Sequence, residues 1–469
     1  MIHRIQAWLA QPTPRWSAVS VGGLGFAIAV VLTAMAQKPF FYDEPHYLNN
    51  VGYLHEHGLG REFLLEYPGY AGPLSAYLQF FLEGVTKLQT PGARLVNVFL
   101  WAASFLLLLR FFRLRAPGSA AGFFLPAVPL LWPIGGLALT EMPSLFFVCL
   151  ALLLQQQALR AKKTLATTSL PLLAGLCFGI AVIGRQTLLP AFLLPLGSIL
   201  FVRADRRSWS LFFLGSLPPI VSVFLVWGGI YPPMIQGMRI LNDGLSGIAP
   251  FHGILSYGYA FLVTLIIAPT YLHLPKWLGL VGVALGLSAG YLLDIDSFLP
   301  MKSVLSNTLP AGTLGFAGTA FPYLLSVLAV WFVIATAWRA LDRQKWRNRV
   351  PLALATGALL GVPAMIPHVF SSRYVAISIP LLLVLLCGHC TFNRGTVLRQ
   401  LLGIFMGATI LTTWLYGKDQ GYAHIEYSQL HYPHLFPNPA EREWGNDEWR
   451  RALVHEEAAA EEVGTPVPE

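Results

Sequence analysis

Runs of sixteen or more apolar residues recur along the 469-residue chain. The first of them, VGGLGFAIAVVLTAMA, begins at Val21. Segments of this kind approach the length a helix needs to cross a bilayer, about 20 residues. In hydrocarbon the backbone must satisfy its own hydrogen bonds, which a helix does within one segment. The sequence therefore predicts an all-α polytopic membrane protein. Only 12% of residues are charged, roughly half the share of a soluble domain. The first run follows MIHRIQAWLAQPTPRW, which holds no small-residue cleavage pattern, so it is expected to stay as a span.

About thirteen transmembrane helices are expected, over 17–36, 95–112, 119–139, 142–158, 168–184, 187–202, 209–230, 254–272, 277–293, 322–338, 351–368, 374–391 and 399–416. A cytoplasmic N-terminus puts the basic loops RFFRLRAPG, RAKK, RADRR, HLPKW, RALDRQKWRNR and NRGTVLR on one side, as the positive-inside rule requires. Net charge is +8, but it sits in these short loops, which argues against nucleic acid as a partner. The opposite side holds a long loop over 37–94, medium loops over 231–253 and 294–321, and a polar tail. The organisation is thus a multi-span domain over 1–416 and an external tail over 417–469, with a working face that is external or lumenal.

The first external loop is expected to carry interfacial helices. Leu48, Val51 and Leu54 repeat at helical spacing after Pro45, and Gly58 offers a stop. GPLSAYLQFFLEGVTKL is amphipathic and aromatic, too short to span but suited to the headgroup level.

Charged residues at that face need a reason. Asp43 and Glu44, in PFFYDEPHYLNN, suit a helix start, with Asp43 as N-cap and Glu44 in the first turn. They also suit a carboxylate held at the membrane surface to take a proton from a substrate hydroxyl, one acid facing the substrate and the other orienting a partner. His46 stands beside them as a substrate-binding candidate. Glu141, in GGLALTEMPSLFF, lies between apolar flanks; an acid there is costly against lipid and should face protein or a cavity. Arg185 and Gln186, in GIAVIGRQTLLPAF, suit a phosphate: guanidinium pairs with phosphate oxygens in a fork. Snorkelling to the headgroups is the plainer account of Arg185. Arg373 and Tyr374, in HVFSSRYVAISIP, precede a late span near His368. Arg94 and Asn97, in GARLVNVFL, favour a structural role, with Asn97 bonding inside the membrane; Arg94 is kept among the substrate-binding candidates because it shares this face. Phe40, Phe41, Tyr42 and Tyr47 would anchor at the interface or pack on a sugar or lipid.

Other patterns carry less. Four cysteines, Cys149, Cys177, Cys387 and Cys390, lie in apolar segments, which argues against a disulfide scaffold. CGHC at 387–390 ends a span instead of opening a helix after a strand, so a redox site is not expected. HEHG at 55–58 lacks the spacing that sets two histidines on one helix face. No cofactor is predicted, and a divalent metal is not favoured; Asp43, Glu44 and Glu141 are the acids that would hold one.

The ordered set DE, GPL, RLVN, LTEMPSLFFVCLALLL and GLCFGIAVIGRQTLLPAF, with SSRYVAISIP later, resembles the GT-C glycosyltransferases. These are multi-span enzymes using polyprenyl-phosphate sugars. The T-E and R-Q-T segments are similar to the dolichyl-phosphate-glucose α-1,2-glucosyltransferase branch. The resemblance covers about 15–200 and 368–380. It departs in the histidine spacing after DE, and the chain has no N-x-S/T sequon, which favours a bacterial or archaeal cell membrane over an endomembrane. What the resemblance implies is a donor phosphate at Arg185, Gln186 and Arg373, Asp43 as general base with Glu44 nearby, and direct displacement with inversion onto a glycan, lipid or protein hydroxyl. The competing classes are a transporter or flippase of a lipid-linked sugar, which more often carries charges mid-span, and a non-catalytic assembly factor.

Overall fold

The computed structural model describes residues 7–36, 38–40, 43–233, 235–236, 247–292, 311–342, 346–366 and 371–417, and of 311–319 the backbone alone. Phe41, Tyr42, His368, Arg239 and Lys302, and the tail after Gly417, lie outside them.

The described residues form helices and no named strand; one isolated bridge joins Pro12 and Asn393. In chain order the α-helices are α1 (Arg15–Met35), α2 (Glu44–His57), α3 (Arg61–Glu66), α4 (Leu74–Thr86), α5 (Gly92–Arg115), α6 (Leu131–Gly136), α7 (Glu141–Ala158), α8 (Thr164–Gly184), α9 (Leu193–Phe201), α10 (Arg206–Trp227), α11 (Pro250–Ile267), α12 (Lys276–Leu292), α13 (Ala311–Ala340), α14 (Trp346–Gly361), α15 (Arg373–Ala376), α16 (Ile379–Leu386) and α17 (Arg394–Tyr416).

Among the described residues seven helices are long and apolar enough to cross a membrane: α1, α5, α8, α10 with the turn before it, α11, most of α13, and α17. Half or less of each apolar window is buried within the protein, so the rest must meet an apolar solvent. Phe99, Leu106 and Leu225 on these helices are exposed, while Asn97 and Thr264 on the same helices are buried. Water would penalise that distribution, and lipid rewards it. The chain is an all-α, multi-pass membrane protein.

Five expected spans are not single helices: 254–272 and 351–368 each finish in a 3-10 turn, Pro269–Leu272 and Val362–Met365, and three divide within their length with prolines at the breaks. Across 119–139 the chain makes a 3-10 helix, Ala121–Ala127, and then the short α6. Pro126, Pro129 and Pro133 there lack backbone donors and clash with a continuing helix. The carbonyls left over are taken up by side chains. Trp132 Nε1 donates to Pro126 O at 2.9 Å and Gln400 Nε2 to Phe123 O at 2.9 Å. The stretch over 187–202 likewise divides into a 3-10 helix, Gln186–Phe192, containing Pro190, and α9. That over 374–391 divides into α15, α16 and a 3-10 turn, Cys387–His389. Irregular backbone at membrane depth is tolerated where protein surrounds it.

Packing sets the two ends of the bundle. At one end Arg15 donates to Pro117 O, and Ala120 N to Cys390 O at 3.0 Å. At the other, Lys38 Nζ donates to Trp414 O and Gly417 O, both at 3.2 Å, where a cation suits the C-terminus of α17. Helices α8 and α10 approach through glycine: a Cβ on Gly175 would lie 2.0 Å from Phe212 O. Small residues permit such contact where no water drives helices together.

The first loop is helical where the spacing predicts, α2 ending at Gly58 with φ +72° and α4 exposing Phe81 and Val85. The short α3 between them was not anticipated. Trp227 Nε1 donates to Leu64 O at 2.8 Å, tying that loop to the end of α10.

Candidate active site

The site is built outward from α5. Arg94 and Asn97 are three residues apart on one helix face, both buried. Arg94 Nε donates to Glu44 Oε1 at 2.8 Å and Nη2 to Glu44 Oε2 at 2.6 Å, a two-point fork. Its other donors reach Lys38 O at 2.9 Å and Pro39 O at 2.8 Å. Arg94 thus fixes the segment that carries Asp43. Asn97 Nδ2 donates to Leu137 O at 2.7 Å and Leu139 O at 2.8 Å, fixing the segment that carries Glu141. Ala138 N closes the set by donating to Glu44 Oε1 at 2.8 Å.

The two acids differ in their surroundings. Glu44 and Arg94 have side chains with 0% exposure, and both are consumed in holding loops together. Neither is placed to touch a substrate. Asp43 is different: its side chain is 34% exposed, and although it precedes the first residue of α2 it makes no capping bond. Its carboxylate instead accepts from Arg373 Nη1, and from Tyr47 Oη at 3.4 Å. Burial pushes the Tyr47 phenol up, with Arg373 opposing, so the group remains a protonated donor toward Asp43. His46 sits half-buried with its ring edge-on to Tyr47, centroids 5.5 Å apart.

A second acid completes the cluster. Glu141 opens α7, where the helix dipole favours it, and it is fully buried. Its Oε1 accepts from Arg185 Nη2 and lies 3.6 Å from Arg373 Nε. Arg185 follows the last residue of α8, the helix end that suits a cation. The result is a chain of alternating charge, Asp43, Arg373, Glu141, Arg185, drawn from four separate stretches of sequence. Tyr374 lies under the Arg373 guanidinium, 5.5 Å from ring centroid to Cζ.

Buried polar atoms without a protein partner gather here. They include Glu141 Oε2, Arg185 Nε, Gln186 Nε2, Thr187 Oγ1, Thr140 Oγ1 and Ser144 Oγ. Each such atom costs about 1–3 kcal/mol unless something bonds it. Donors outnumber acceptors in the R-Q-T stretch, which suits an oxygen-rich anion. Arg185 Nε and Gln186 Nε2 are the atoms it would meet.

The first loop is pressed onto this hairpin. Gly72 N donates to Gly184 O at 3.1 Å, and a Cβ on Gly72 would lie 1.5 Å from Ile183 O. Tyr67 Oη, which accepts from Asn50 Nδ2 at 3.3 Å, donates to Gly72 O at 3.1 Å.

Among the described residues no group of three or more His, Cys, Asp or Glu is placed to hold a metal ion. His55 pairs with Glu83 at 2.7 Å, and Cys387 and Cys390 are free thiols. The sequence pattern did not single out Lys38 or Ser144. Tyr47 was visible only as an aromatic, although its position four residues after Asp43 is the spacing that joins two side chains on a helix.

No family model matches the chain, and no curated protein sequence does. Solved structures match the chain at low identity. ArnT from Cupriavidus metallidurans in the apo state gives a TM-score of 0.39 at 14% identity, over 84% of this chain and 77% of that one. The same enzyme bound to undecaprenyl phosphate gives 0.38 at 12% identity, over the same shares. The Archaeoglobus fulgidus oligosaccharyltransferase in the apo form gives 0.47 at 16% identity, over 92% of this chain and 59% of that one.

Proposed function

We propose that this chain is a membrane glycosyltransferase that moves a sugar from a polyprenyl-phosphate donor to an acceptor hydroxyl, with inversion and with Asp43 as general base. The observation that carries the reading is Glu141 Oε1 shared between Arg185 and Arg373, with Arg373 also reaching Asp43. Two guanidiniums held in register beside one half-exposed carboxylate provide an anion cradle and a base within one cluster. The resemblance of the DE, TE, RQT and SSRY stretches to GT-C enzymes supports the same assignment.

In this mechanism the acceptor oxygen attacks the anomeric carbon while the bond from that carbon to the phosphate oxygen breaks. The acceptor proton passes to Asp43. The phosphate leaves as a monoester bearing one more negative charge, which Arg185, Arg373 and the Gln186 amide stabilise. General-base help of this kind contributes roughly 10² to 10⁴ in rate. Glu44 is a positioning residue that acts through Arg94. The phosphate and Asp43 compete for Arg373, so arrival of the donor loosens the carboxylate that must accept the proton.

The test is transfer of label from a panel of radiolabelled polyprenyl-phosphate sugars by detergent-purified protein, with Asp43→Asn and Arg185→Ala in parallel. Release onto water or a cell-envelope extract by the wild type, lost in Asp43→Asn, is the expected result. Donor binding with no release from any sugar overturns the transferase in favour of a lipid-sugar transporter.

A further inference from the structure

The opposite end of the bundle holds a second site. Helix α5, 24 residues long, carries the Arg94 anchor in its first turn and ends at Arg115. Helix α7 begins at Glu141 and ends in Gln155, Gln156, Gln157 and Ala158. Between these far ends lies a cavity of about 130 Å³, with Arg115, Gln155, Ser198, Asp205 and Asn348 among its lining residues. Below it a narrow apolar chamber continues toward the middle of the bundle, and Leu152, Gln155, Leu194 and Trp209 line both.

The chemistry of the walls is specific. A guanidinium and a carboxylate face one cavity without forming an ion pair with each other; Arg115 makes only a long contact, 3.4 Å, to Gln156 Oε1. Gln155 is 2% exposed, spends its amide nitrogen on Ser208 Oγ at 3.1 Å, and leaves Oε1 with no protein partner. Acceptors, Asp205 and Gln155 Oε1, and donors, Arg115 and the Asn348 amide nitrogen, thus line the same cavity. An aromatic wall, Trp209, stands between the polar cavity and the apolar chamber.

We propose that this cavity binds the headgroup of a zwitterionic aminophospholipid from the leaflet at the basic-loop end. The phosphate meets Arg115 through charge-assisted bonds, and the ammonium meets Asp205, Gln155 Oε1 and the Trp209 face. A purely anionic lipid fits less well, because Asp205 repels it, and a purely cationic ligand meets Arg115. The site stands apart from the acid–arginine cluster, so the proposal does not rest on the glycosyltransferase reading.

The experiment is native mass spectrometry of the full-length protein, delipidated in detergent and titrated with phosphatidylethanolamine, phosphatidylglycerol or soluble O-phosphoethanolamine. One phosphatidylethanolamine should be retained per chain in preference to phosphatidylglycerol. Arg115→Ala should weaken it about tenfold, the scale of one lost charge-assisted contact, and Arg115→Lys should restore most of it. Asp205→Asn should shift the preference toward phosphatidylglycerol. O-phosphoethanolamine that competes as well as the lipid would show that the headgroup alone is the ligand and overturn the lipid assignment. Equal retention of both lipids by wild type, or adducts unchanged in Arg115→Ala and Asp205→Asn, would sink the proposal. Should Arg115→Ala fail to fold, the Asp205→Asn shift in preference decides it alone.

Discussion

The Asp43 carboxylate and the Arg373 guanidinium, 330 residues apart in the chain, meet side chain to side chain at one end of the bundle. Asp43 makes no bond to the amides of the helix it precedes. A local role has been exchanged for a long-range one. Because Arg373 also faces Glu141, any anion that joins the cluster draws on the same guanidinium.

Competition for Arg373 makes Asp43→Asn a variant with two opposite effects. Turnover should fall by roughly 10² to 10⁴, the scale of general-base catalysis. Affinity for an unreactive polyprenyl phosphate should hold or rise, because the neutral amide releases Arg373 to the phosphate. Equilibrium binding beside single-turnover transfer separates the two. A parallel loss of both would remove Asp43 from the base role.

Glu44 and Arg94 make a different prediction, since both are sealed from solvent and forked together. Breaking a buried pair by removing one partner costs about 3–5 kcal/mol. Glu44→Gln and Arg94→Met should each lower the unfolding midpoint in detergent sharply. The Glu44→Gln, Arg94→Met double variant should lose less than the sum of the two single losses. Additive losses in the double variant would show that the pair is not coupled.

The helical class and the interfacial helices of the first loop were legible in the sequence because apolar length and helical spacing are local signals. So was the role of Asn97, whose amide sits on an apolar helix and has to find partners in the protein around it, here Leu137 O and Leu139 O. The division of labour between Asp43 and Glu44 was not legible. Adjacent acids at a helix start look alike until Arg94 arrives from a helix some fifty positions later. Nor were the broken spans, because hydropathy averages over Pro126, Pro129 and Pro133 while the backbone cannot.

His46 gives the site's neighbourhood a pH dependence. Burial holds its imidazole below the ordinary value of 6.5, with Asp43 opposing. The unfolded chain then binds the proton more readily, so stability is full above about 6.5 and falls as pH drops toward the folded value. Midpoints of thermal unfolding between pH 8 and 5 should decline on the acid side, and His46→Gln should flatten part of the slope. An unchanged slope in His46→Gln would place the titrating group elsewhere.

Gly72→Ala tests whether docking of the first loop on the R-Q-T hairpin matters to the site. The added Cβ would meet the Ile183 carbonyl at 1.5 Å, and that oxygen belongs to backbone at the end of α8. No side-chain rotation relieves the clash, so the loop must lift and the bond from Gly72 N to Gly184 O must lengthen or break. Overpacking of this kind costs typically 1–3 kcal/mol, small against a whole bundle but large for one loop contact. The bundle should therefore survive, with helical circular dichroism near that of wild type. What should change is the placement of Asp43 relative to Arg185, because the loop begins at the first and docks beside the second. The expected result is a drop in transfer of about tenfold or more, the sensitivity of catalysis to small misplacement, with faster proteolysis in 59–73. Wild-type transfer in Gly72→Ala would mean that the loop is held by Trp227 and Arg94 alone.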